Sequence, residues 1–134
     1  MSQMHAIVWL DHREARIVGF SIGKSEVIDV HSHSPERRIH HKAGSIGSGH
    51  VADDHQFFDE IVEQLASTHR VLIAGPGNAK TAFETYVQER HVDLAQRVVG
   101  IETLDHPTDG ELLAHARTYF KASDQLLPDT GTMP

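Results

Sequence analysis

VLIAGPGNAK, residues 71–80, reads as a buried strand that breaks into a tight turn and restarts as a helix. Val71, Leu72, Ile73 and Ala74 show no polar alternation, the pattern of a strand covered on both faces and placed centrally in a sheet. Gly75 and Gly77 supply backbone freedom on either side of Pro76, whose fixed φ sharpens the bend at the carboxyl end of the strand. Asn78 is positioned to cap the next helix. The same outline fits an anion site built from Gly77, Asn78 and Lys80, because free amides at a helix start attract negative charge. The stretch matches neither G-x-x-x-x-G-K-[ST] nor G-x-G-x-x-G, and proline has no amide hydrogen, so close packing of helix on strand is the simpler reading.

Downstream, Ala79, Ala82, Phe83, Tyr86 and Val87 form an apolar stripe opposite Lys80, Glu84, Gln88 and Glu89, as an amphipathic helix requires. Residues 97–103 (RVVGIET) predict a further strand. Thr108 and Glu111 then have capping-box spacing before a last helix with Leu112, Leu113, Ala116, Tyr119 and Phe120 on its apolar side. Residues 124–134 carry no pattern and are expected to form a disordered tail.

Upstream, residues 5–10 (HAIVWL) and 14–20 (EARIVGF) predict a hairpin turning at Asp11, whose side chain can bond nearby amides. Residues 26–31 (EVIDVH) alternate as a half-buried third strand, with the turn at Gly23-Lys24. Asp53 and Asp54 suit the first turn of a helix carrying Phe57, Phe58, Ile61, Val62 and Leu65. The order is β-β-β-loop-α-β-α-β-α. It predicts an α/β domain over residues 1–123: a ribonuclease H-like mixed sheet, with a three-strand antiparallel meander plus two parallel strands and three helices.

A chain of 134 residues is sized for one domain and can bury roughly two thirds of its unfolded surface. It has no cysteine, which excludes disulfides, thiolate metal sites and cysteine nucleophiles. The opening apolar run stops at Leu10 with no basic stretch before it, so neither a signal peptide nor a membrane span is expected, and the expected location is cytoplasmic. The net charge of −7 argues against coating by nucleic acid over the whole surface.

Residues 33–50 break every periodicity. This Gly/His/Arg-rich stretch holds Arg37, Arg38 and Lys42 against Glu36, a formal +2 that leaves −9 on the rest of the chain. A long patternless loop inside a compact domain is either functional or disordered. Arg37, Arg38 and Lys42 are natural phosphate contacts, and Gly44, Gly47 and Gly49, beside His50, allow a backbone to approach RNA closely.

IVWLDHREARIVGF, DDHQFFDEIVEQL, LIAGPGNAKTAFETYV and HPTDGELLAHARTYF together resemble the central domain of the archaeal and eukaryotic peptide chain release factors and Pelota, over residues 4–122. Single-domain bacterial proteins of the translational machinery type are the nearest in kind. In the release factors, the loop matching residues 33–50 carries a Gly-Gly-Gln tip that promotes peptidyl-tRNA hydrolysis. This chain has Gly47-Ser48-Gly49-His50 there, as Pelota also lacks the motif. The resemblance implies a non-catalytic, translation-associated protein whose partner is the ribosome or RNA.

Two other chemistries compete. The twelve histidines include His31, His33, His40 and His41, and alternate strand residues share a face, so a histidine-rich transition-metal site taking zinc or nickel is the alternative. No resident cofactor is expected. A metal-dependent nuclease would cluster carboxylates such as Asp11, Asp53, Asp54 and Glu60, but the strand at 71–74 ends in Ala74-Gly75 with no acid, which leaves such a cluster incomplete. Ser45 and Ser48 share the loop with histidines but have no rigid element to orient a base, so no enzyme nucleophile is assigned. An open edge of the meander leaves a homo-oligomer as an option.

Overall fold

A computed structural model describes residues 4–32 and 55–126, with side chains described at 5–32 and 55–121. In chain order the elements are β1 (Met4–Leu10), β2 (Glu14–Ser21), β3 (Lys24–His31), α1 (His55–Gln64), β4 (Thr68–Gly75), α2 (Ala79–Arg90), α3 (Val92–Ala95), β5 (Val98–Thr103) and α4 (Asp109–Leu126). The sheet runs β3-β2-β1-β4-β5. β1–β2 and β2–β3 pair antiparallel, whereas β1–β4 and β4–β5 pair parallel, which is the expected mixed ribonuclease H-like sheet.

β4 is an interior strand, as its unbroken apolar run requires, but the middle place belongs to β1. Ala6, Ile7, Val8, Trp9 and Leu10 are all fully buried because helices cover both faces of that strand. One face packs Val8, Leu10, Ile17, Val71 and Ile73 against Phe57, Phe58, Ile61, Phe83 and Val87 of α1 and α2. The other packs Ile7, Trp9, Val18, Phe20, Leu72 and Ala74 against Leu112, Ala116 and Phe120 of α4.

Local signals act where the spacing placed them. Asp11 Oδ1 accepts the amides of Arg13 (2.8 Å) and Glu14 (3.0 Å), closing the β1–β2 turn. The Thr108 amide donates to Glu111 Oε1 (2.8 Å) and the Glu111 amide to Thr108 Oγ1 (3.1 Å), so the capping box opens α4.

Three features differ from the sequence reading. A fourth helix, α3, has only four residues; a single turn burying Leu94 leaves no period to detect. β4 begins at Thr68 rather than Val71, since Thr68 Oγ1 donates to the Leu65 carbonyl (2.7 Å) and the polar Thr-His-Arg start hides its pairing with β1. α4 runs on to Leu126, past the boundary drawn at residue 123, because no helix breaker precedes Pro128. Among the described residues, no helix is long and apolar enough to cross a membrane.

Candidate functional site

The carboxyl edge of the parallel strands gathers several of the residues singled out in the sequence. The β1–β2 turn, the end of β3, the 75–80 turn and the segment after β5 meet there. The Ser32 amide donates to the Arg13 carbonyl (2.9 Å), and the Leu104 amide donates to the Gly75 carbonyl (3.0 Å). Arg37, Arg38, Lys42, Gly44, Gly47, Gly49, His50 and the ligand candidates His33, His40 and His41 lie outside the described residues, as do Asp53 and Asp54. His31, the remaining ligand candidate, is exposed at the end of β3, with Nδ1 3.9 Å from Glu14 Oε1. Among the described residues, no three histidine, aspartate or glutamate side chains converge on a point that could hold a metal ion.

In the 75–80 turn, the glycines act differently from the freedom first assigned to them. Among the described residues only Gly23 has positive φ, at 76°. Gly75 is required by close approach instead: a Cβ there would strike the Leu10 carbonyl oxygen, so β1 and β4 can converge only on a glycine. Gly77 borders open space. Asn78 occupies the N-cap position in αR conformation without a side-chain cap bond, and its carbonyl accepts the Ala82 amide (3.0 Å). Lys80 folds back so that Nζ donates to the Gly77 carbonyl (2.7 Å), bracing the turn with the charge that an anion would use.

Beside this edge stands a cluster with no sequence signal. Trp9 Nε1 donates to the carbonyls of Leu104 (3.1 Å) and Asp105 (2.9 Å). The Arg16 guanidinium lies 4.7 Å over the Trp9 ring, and its Nη1 pairs with Asp109 at 3.0 Å. His106 packs on the same indole at 5.1 Å. Across the sheet, the Tyr86 hydroxyl donates to Asp59 Oδ1 (2.5 Å), and His91 Nε2 lies 3.3 Å from the same oxygen. The Tyr86 hydrogen bond holds the Asp59 carboxyl below its ordinary value, with His91 adding to the effect against a smaller opposing push from burial. Burial, then the bond to Asp59, pushes the Tyr86 phenol up. These contacts clamp helices and expose no nucleophile, so they are structural.

No family model matches the chain. A Pelota homologue from Methanoculleus marisnigri is 30% identical over 88 residues, which cover 65% of this chain. The crystal structure of the Thermoplasma acidophilum Pelota protein superposes with a TM-score of 0.60 at 23% identity, covering 95% of this chain. The chain is similar to Pelota in sequence and shares the fold of a Pelota and release-factor domain. Dom34 of S. cerevisiae, a translation termination-like factor involved in RNA quality control pathways and interacting with Hbs1, shares the fold with a TM-score of 0.53 at 12% identity and 90% coverage of this chain. The Pelota-like domain spans 26% of the curated relative and 35% of each of these solved chains.

Proposed function

We propose that this Pelota-like chain is a non-catalytic translation-associated module that contacts the ribosome or its RNA through the basic segment at 33–50. The observation carrying the reading is the sequence likeness to the Pelota homologue, 30% over 88 residues, which goes beyond shared fold. Two further facts support it. The position matching the release-factor Gly-Gly-Gln tip holds Gly47-Ser48-Gly49-His50, so hydrolysis of peptidyl-tRNA has no glutamine to promote it. The segment also concentrates Arg37, Arg38 and Lys42 on a chain that is otherwise acidic, which directs an anionic partner toward it.

Co-sedimentation with ribosomes across a salt series tests this reading. Binding should weaken modestly as salt rises, because three cations release few counterions, and it should fall in the Arg37→Gln/Arg38→Gln/Lys42→Gln variant while the melting curve stays unchanged. Absence of binding at low salt would reduce the likeness to Pelota to common ancestry of fold.

A further inference from the structure

β3 is an edge strand: β2 pairs with one side of it, and among the described residues no strand pairs with the other. Ser21 and Lys24 close a two-residue turn, which sets the hydrogen-bond phase of the hairpin. Lys24, Glu26, Ile28 and Val30 therefore bond to β2, whereas Ser25, Val27, Asp29 and His31 direct amide and carbonyl outward. The Ser32 amide, which donates to the Arg13 carbonyl (2.9 Å), keeps the same phase at the far end. All eight residues of β3 pair with β2 without a register shift, so the outward ladder is regular.

The opposite edge of the sheet is blunted by contrast. β5 has six residues, its register with β4 shifts between Val71 and Leu72, and the Val99 carbonyl accepts the Tyr119 hydroxyl (3.2 Å). β3 instead presents an apolar residue at its centre. Val27 is 44% exposed although its partner Val18 is fully buried under α4, because α4 packs mainly on β1 and β2.

The charges of β3 restrict what can pair with it. Paired strands turn opposing side chains to the same face, so a two-fold copy can align odd residues only with odd and even only with even. Centring the axis on Glu26 or on Asp29 sets two carboxylates directly opposite each other, and centring it on Ile28 sets each Val27 against an Asp29. Centring on Val27 sets Val27 on Val27 and the Ser25 hydroxyl against the Asp29 carboxylate on both sides. Glu26 then faces Ile28 and Lys24 faces Val30, so no like charges stand opposite. This register continues the Val18–Val27 pair into a row of valines across both copies and forms about six backbone hydrogen bonds.

We infer that a second copy of this chain docks antiparallel on β3 about a two-fold axis at Val27, joining two five-stranded sheets into one, an interface that does not depend on the translation reading. Glu26 and Asp29 guard the edge against other strands and other registers.

The full chain has no cysteine, so single cysteines read the register directly. In a hydrogen-bonded antiparallel pair the Cα atoms lie about 5.5 Å apart, within disulfide reach. Val27→Cys should therefore cross-link to a dimer under diamide. Ser25→Cys, exposed on the same edge, would lie about 14 Å from its own copy and should stay monomeric. In light scattering, the mass of the wild-type protein should rise from 14.9 kDa toward twice that value with concentration, whereas Val27→Lys should hold at 14.9 kDa. Equal cross-linking at positions 25 and 27 would show chance collision and overturn the inference. A wild-type monomer at every concentration, with no cross-link at position 27, overturns it as well. A dimer that survives Val27→Lys would place the interface elsewhere on the molecule, with the same result.

Discussion

The Tyr86 hydroxyl donates to Asp59 Oδ1 across the α1–α2 interface, joining two residues that are 27 positions apart along the chain. His91 completes the clamp from the far side of the same oxygen, and Phe58 packs against the Tyr86 ring at 5.4 Å below it. The clamp ties α1 to α2 on the sheet face that both helices cover.

The clamp should respond to pH at both ends. Asp59 has a folded value below its unfolded 3.8, so its stabilisation is present in full above that value and is lost as pH falls through the lower folded one. Tyr86 has a folded value above its unfolded 10.0, so its contribution is present below pH 10 and is lost as pH rises through the raised one. Tyr86→Phe should cost about 1–2 kcal/mol at pH 7, toward the low side for a hydrogen bond to a charged acceptor because water screens the half-exposed Asp59 carboxylate. Thermal melts should show the gap between wild type and Asp59→Asn closing below about pH 4. A gap that stays constant down to pH 2 would place the acid-sensitive group elsewhere.

Gly75 and Gly77 should separate sharply on substitution. Gly75→Ala pushes a methyl group into the Leu10 carbonyl and must part β1 from β4, so a loss of about 2–4 kcal/mol is expected in urea unfolding, at or above the usual range for overpacking. Gly77→Ala meets open space at negative φ and should be neutral or gain about 0.5 kcal/mol through the unfolded chain. Equal effects at the two positions would show that turn flexibility, not strand approach, selects glycine here.

Trp9 should matter more than the cation above it. Trp9→Phe keeps most of the buried ring but strips the shared donor from the Leu104 and Asp105 carbonyls, at a cost of about 1–3 kcal/mol. Arg16→Gln removes the stacked guanidinium and its pair with Asp109, whose side chain is half exposed, so less than about 1 kcal/mol is expected. Urea unfolding followed by far-UV circular dichroism compares the two. A larger loss for Arg16→Gln would make the guanidinium the tie between β1 and α4.

The sequence by itself determined what neighbours along the chain decide. The Asp11 turn, the Thr108–Glu111 capping box and the apolar stripes of α1, α2 and α4 all rest on partners within a few residues, so their spacing states them directly. The unbroken run at 71–74 likewise declared an interior strand. Tertiary structure decided the rest, because its partners lie far apart in sequence. β1 holds the middle of the sheet only once β4 has crossed over to pair beside it. Gly75 is needed only when the Leu10 carbonyl arrives against it. Trp9 meets Leu104 across 95 residues, a separation that no local pattern encodes. Short-range hydrogen bonds and periodic burial are written residue by residue, whereas close approach and charge convergence exist only after distant strands and helices have packed.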